Sequence, residues 1–229
     1  MLKKKYKLLF FGKKNDTFSK KIISFLNQKF DLIYFLSSSP NENFDIKLEK
    51  INNIDFIFCF RSYYLLKKNI LSKVKYQSIN FHPGPPEYRG IGCVNFAILN
   101  DSKFYGLTAH LIDQEIDHGK IINVRRLKIK KNDTIQELLN KTYKLQILQI
   151  KKIVNHLLKK KCNFDELINE NKKEKWSKKL YTRSDLNKLY VIKKNISKKN
   201  LKLRLRATIT DKFKPHVVLH KKKFYHSES

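Results

Sequence analysis

Apolar positions along the first eighty residues fall into short continuous runs separated by amphipathic stretches. Runs at 7–12, 31–36, 55–60 and 77–81 read as strands, the first closing on Gly12. Between the first two, Asp16 or Thr17 can cap a helix that places Phe18, Ile22, Phe25 and Leu26 on one face. A Ser/Pro/Asn loop follows the second run. Continuous apolar strands alternating with helices predict a parallel sheet covered on both faces, the α/β class. In such sheets the ligand crevice lies off the carboxyl ends of the strands, which is where Asn80 and His82 fall.

Further along, the pattern predicts a short helix at 93–100 and strands at 105–112 and 120–129, the two strands joined by an acidic turn at 113–119. From 132–134 a long helix starts, with Ile135, Leu139, Tyr143, Ile147, Ile150, Val154 and Leu157 at helical spacing to cover a sheet face. The reading divides the chain into a catalytic domain at 1–161, a polar linker at 162–184 anchored by Trp176 and Tyr181, and a small α+β unit at 185–229. That last unit opens with a strand at 189–192 and closes with a hairpin, 217–219 and 223–225. Residues 197–209 carry both a helical signal (Ser197 cap, Leu201, Leu205) and an alternating one (Leu201, Leu203, Leu205), and helix is favoured.

Hydrophobic residues make up 41% of the 229, enough for one full core and a small appendage and too many for a disordered polycation. The formal charge of +30 is discounted because Lys, Ile and Asn abound while Ala occurs only at 97, 109 and 207. That is the bias of an AT-rich coding sequence. A Lys-coated surface is the first reading of the charge, and a polyanionic partner or phosphorylated substrate the second. Cys59, Cys93 and Cys162 are far apart and form no metal-ligand cluster, so no metal is expected and a reduced, cytoplasmic location fits. The basic start, Met1 to Tyr6, precedes an apolar run too short for a signal peptide, and no stretch reaches bilayer length. No membrane association is expected.

The chemistry concentrates in two blocks. The first runs Ile79-Asn80-Phe81-His82-Pro83-Gly84-Pro85-Pro86-Glu87-Tyr88-Arg89-Gly90. Asn80 and His82, two apart on a strand, point to the same side. An amide donor beside an imidazole suits a carbonyl whose oxygen gains charge, and the imidazole can also move a proton. The same pair can also be a plain strand-end cap. In the second block Gly106, Thr108 and His110 alternate along a strand, and Asp117 follows in an Asp-His-Gly turn ending at Gly119. A carboxylate there can fix the tautomer of a nearby imidazole; by itself it would be an ordinary turn residue.

Taken together the blocks resemble the formyltransferase family that uses 10-formyltetrahydrofolate, which includes glycinamide ribonucleotide, methionyl-tRNA and nucleotide-sugar formyltransferases. Four motifs of that family occur in order: Asn80/His82, Pro86/Arg89/Gly90, Gly106/Thr108/His110 and Ile116/Asp117/Gly119. The resemblance covers roughly residues 5–130. It implies a Rossmann-like formyltransferase domain in which Asn80 and His82 stabilise the oxyanion of a tetrahedral adduct. Asp117 then holds His82 in its working state and accepts the proton lost by an attacking amine. Thr108, His110, Arg89 and Gly119 stand behind that trio. The folate is expected against two turns, Tyr63-Tyr64-Leu65-Leu66 and Asp113 to Asp117 with Glu115 and Ile116, and Arg61 is a further candidate contact. His118 departs from the small residue usual in the family and receives no role.

Two departures bear on the acceptor. The loop at 82–90 is one residue shorter than in better-known members. The chain also has no basic insertion after the second strand and no room for the C-terminal barrel of the methionyl-tRNA branch. The resemblance therefore implies formyl transfer to a primary amine, an amino-sugar nucleotide first and methionyl-tRNA as the alternative. A homodimer is left open.

Overall fold

The computed structural model describes residues 6–160, 162–211 and 213–227. The basic start of the chain at 1–5, weighed above as a signal peptide, lies outside them. In chain order come β1 (Lys7–Lys13), α1 (Thr17–Asn27), β2 (Asp31–Ser37), α2 (Asp45–Glu49), β3 (Ile54–Phe60), α3 (Lys68–Leu71) and β4 (Val74–His82). They are followed by β5 (Arg89–Gly90), α4 (Cys93–Leu99), β6 (Phe104–Leu111), β7 (Ile121–Lys128) and α5 (Ile135–Lys159). The remainder holds α6 (Asp165–Glu170), β8 (Leu180–Tyr181), α7 (Arg183–Leu189), α8 (Lys198–Thr208), β9 (His216–Leu219) and β10 (Lys222–Tyr225).

Six strands form one sheet in the order β2-β1-β3-β4-β6-β7. β1 pairs parallel with β2 and β3, and β3 parallel with β4. β6 lies antiparallel to β4, so the sheet is mixed and mostly parallel, with the Rossmann-like character that the resemblance implied. The inner strands are apolar end to end because both their faces are covered: Leu8, Leu9, Phe10 and Phe11 of β1 are fully buried, as are Phe56, Ile57, Phe58 and Phe60 of β3. Each such side chain contributes about 1.5–3 kcal/mol on leaving water. Asp16 caps α1 by accepting from Ser19 N at 2.8 Å, and its carboxylate also meets the Arg61 guanidinium at 2.6 Å.

The chain divides into two compact units whose segments interleave: Met1–His82, Thr108–Val124 and Tyr143–Glu174 in one, Pro83–Leu107, Arg125–Thr142 and Lys175–Ser229 in the other. Within the second, Phe96, Ala97, Ile98, Tyr105, Leu138 and Ala207 share a core. Tyr181 stacks on Phe96 with ring centroids 3.8 Å apart.

Three local expectations changed. Residues 162–184 carry α6 and β8 rather than a bare linker, and β8 pairs with β5. The strand expected at 189–192 is absent: helix α7 runs through Leu189, and an isolated bridge from Val191 to His216 takes its place. The helix wins because Thr182 and Asp185 form a reciprocal capping box at its start and Leu186 and Leu189 bury one face. The loop after β2 contains the short α2. Residues 198–208 are helical, with Ser197 accepting from Asn200 N. Among the described residues no helix is long and apolar enough to cross a membrane.

Candidate active site

Strand register assembles the site. In the β4–β6 pair Asn80 lies opposite His110 and His82 opposite Thr108. The chain leaves β6, turns through 112–120 and brings Asp117 back to the same strand ends in a left-handed conformation (φ 47°). The turn is tight: a Cβ on Gly119 would sit 1.9 Å from Leu111 O, so only glycine fits there.

The Asp117 carboxylate is the hub. Its Oδ2 is 3.1 Å from His82 Nδ1, and its Oδ1 lies 3.2 Å from Asn80 Nδ2 and 3.3 Å from His110 Nε2. His82, His110 and Asp117 are all buried, and Asn80 is half-buried. His110 Nδ1 lies 2.8 Å from Leu111 O. A carbonyl oxygen only accepts, so that nitrogen carries the proton and the neutral ring offers Nε2 as an acceptor. Asn80 Nδ2, 3.1 Å away, donates to it. A protonated His110 would instead donate to Asp117. An amide, two imidazoles and one carboxylate thus share a single network able to hold a carbonyl oxygen and to move a proton.

The other expected residues are distributed as follows. Thr108 is fully buried at its register position beside His82. Asp113 accepts from Glu115 N at 3.0 Å and pairs with His118 Nδ1 at 2.8 Å, which gives His118 a place in the turn. Ile116, Tyr63 and Leu65 expose apolar surface. Tyr64 is buried: its ring stacks on Phe11 and its hydroxyl donates to Asp45, and burial, with that bond second, raises its pKa. Leu66 packs against the same cluster, so these two face the core. The Arg61 guanidinium meets Asp16 and lies 3.8 Å from the centre of the Tyr143 ring. Arg89 donates to Ser177 O at 3.3 Å in the second unit.

Sequence reading placed Tyr143 on the covering face of α5 but missed Gln146. Gln146 is fully buried and donates from Nε2 to Phe81 O at 2.9 Å. The available signal was a polar line, Thr142, Gln146 and Gln149, at helical spacing within an otherwise apolar face.

A sequence profile of the formyl transferase family matches residues 13–149, more than half of the chain. The methionyl-tRNA formyltransferase of Finegoldia magna is 30% identical over 145 residues, 63% of this chain and 45% of that protein. The chain thus spans less than half the length of the first curated relatives it matches. Among solved structures, a 4-N formyltransferase from Francisella tularensis superposes with a TM-score of 0.78 at 20% identity, covering 96% of both chains. An N-formyltransferase from Helicobacter canadensis, in complex with folinic acid and dTDP-3-aminofucose, gives 0.69 at 19% identity, covering 95% of this chain and 86% of that one. With the Asn80/His82/Asp117 network in place and the profile spanning the segment that carries it, the chain belongs to the formyl transferase family.

Proposed function

We propose that the protein moves the formyl group of 10-formyltetrahydrofolate onto a primary amine, that of an amino-sugar nucleotide. The observation that carries the chemistry is the buried Asp117 carboxylate, 3.1 Å from His82 Nδ1 and 3.2 Å from Asn80 Nδ2. The amine nitrogen forms a bond to the formyl carbon, and the carbonyl electrons move onto oxygen. Asn80 and His82 stabilise that oxyanion, Asn80 by turning to it one of the two amide hydrogens it otherwise gives to Asp117 and His110, His82 through Nε2 because Nδ1 is turned to Asp117. The bond from the formyl carbon to the donor nitrogen then breaks. The proton shed by the amine passes through Asp117 and His82 to the departing nitrogen, so charge and atoms balance. Holding both reactants in register supplies about 7–11 kcal/mol of the acceleration.

Support for a folate donor comes from the exposed apolar surface of Tyr63, Leu65 and Ile116 and from the folinic acid bound by the Helicobacter canadensis relative. That relative also binds a dTDP-amino sugar. A second reading, methionyl-tRNA as acceptor, draws on the Finegoldia magna relative and on the +30 charge. The test supplies 10-formyltetrahydrofolate with either an amino-sugar nucleotide or methionyl-tRNA and follows release of tetrahydrofolate. Turnover with the sugar is expected. Turnover with methionyl-tRNA instead would transfer the assignment to the second reading, and a calorimetric titration showing no folate binding would overturn both.

A further inference from the structure

The two residues assigned to the oxyanion sit on either side of Phe81, and the backbone there has an unusual support. Ile112 N donates to Ser78 O, which sets the alternation of β4: Ser78, Asn80 and His82 turn their backbone groups toward β6, and Phe81 turns its carbonyl toward β3. β3 gives out at Phe60, and Arg61 leaves it with φ 55°. At that place α5 supplies the donor, Gln146 Nε2 at 2.9 Å from Phe81 O. One turn earlier on α5, Tyr143 lies against the Arg61 guanidinium and meets the Phe60 ring edge-on at 6.3 Å. The same helix face therefore braces the ends of both strands.

Gln146 brings a liability with it. The side chain is fully buried, and its Oε1 finds no hydrogen-bond partner among the described residues. An apolar side chain of similar volume would fill the space without a stranded acceptor. What such a side chain lacks is the donor to Phe81. Gln149, three residues on, is an internal comparison: it is also fully buried, also has an unpartnered Oε1, and donates to Asn123 O and Oδ1 at 3.0 Å, on β7 rather than on the strand that carries Asn80 and His82.

We propose that Gln146 is a positioning residue for formyl transfer: by holding the Phe81 carbonyl it fixes the pitch of the strand end from which Asn80 and His82 converge on Asp117. The inference rests on the proposed activity, and the test separates the two. In the full chain, Gln146→Met and Gln149→Met are compared for kcat and KM, for thermal unfolding, and for the imidazole ¹⁵N shifts of His82. Gln146→Met is expected to lower kcat about tenfold with KM for the donor little changed, and to shift the His82 resonances. Gln149→Met should leave both at their wild-type values whatever its effect on melting. Wild-type kcat and unmoved His82 resonances in Gln146→Met would overturn the proposal, as would equal losses in the two variants. If the wild type transfers no formyl group, the activity reading fails, and the His82 spectra alone decide whether Gln146 orients the site.

Discussion

Asp117 occupies a backbone conformation that costs an ordinary residue about 1–3 kcal/mol, and it does so where its carboxylate reaches two imidazoles and an amide. Asparagine tolerates the same left-handed geometry, so Asp117→Asn separates charge from shape. That variant, and His82→Ala, should fold with melting temperatures near wild type and lose about 10²–10⁴-fold in turnover, read by steady-state kinetics beside circular dichroism. Near-normal rates in either would remove that residue from the catalytic set. Cys59, opposite Asn80 in the β3–β4 register, is a different kind of group: burial pushes its thiol from 9.0 up to about 12. The folded pKa is raised, so the stability the buried thiol contributes is complete below pH 9.0 and is lost as pH climbs from there toward 12. A disulfide reagent at pH 8 should therefore leave Cys59 untouched in the native protein and label it on unfolding; labelling at the same rate in both states would contradict its burial. At this scale the trio was legible because four motifs that resemble the family's occur in order; alone, Asn80 and His82 would read as a strand-end pair and Asp117 as a turn residue. Tyr64 was not legible, since its neighbours Phe11 and Asp45 come from β1 and α2, and Gln146 meets Phe81 from 65 residues away.

Helix α7 shows what a pattern of apolar residues leaves out. Leu189, Tyr190, Val191 and Ile192 look like a strand taken alone, but the Thr182/Asp185 box commits the preceding turn to helix, and its momentum carries through Leu189. The signal was present as Thr-x-x-Asp and was outvoted by the apolar run. α8, ambiguous in sequence, is settled by packing: Asn95 donates to Ala207 O at 2.8 Å in the core of the second unit. Its two arginines have structural duties. Arg204 Nη1 donates to the carbonyls of Lys188, Leu189 and Val191 where α7 ends, and Arg206 to those of Asp133 and Lys130 ahead of α5. Arg204→Met should cost about 1–3 kcal/mol in denaturant unfolding, since several carbonyls lose a charged donor, while kcat per folded molecule holds. Gly119→Ala belongs to the same scale, because the turn cannot accept a Cβ without moving Leu111. Destabilisation of about 1–3 kcal/mol is expected, with a fall in turnover as Asp117 is displaced.

Over the whole molecule the positive charge is uneven. Beyond Asp185 the sequence contains Asp211 and Glu228 as its only acids, against exposed lysines at 188, 193, 194, 198, 199, 202 and 221–223. A uniform coding bias does not concentrate charge in this way, whereas the α/β class itself was readable from the alternation of buried strands and helices. If methionyl-tRNA is the acceptor, its affinity should fall steeply between 50 and 200 mM salt, by about 10³–10⁵-fold for 6–10 phosphate contacts. An acceptor whose binding barely changes over that range points to the nucleotide sugar. The cap of α1 narrows where such a ligand's phosphates can go. In open α/β sheets a helix start of this kind is a ready anion berth, and dinucleotides place their pyrophosphate there. Here the berth is already taken by the chain's own Asp16, bonded to Ser19 and neutralised by Arg61. With that carboxylate at the start of α1, a diphosphate bound by this Rossmann-like frame must find its counter-charge elsewhere.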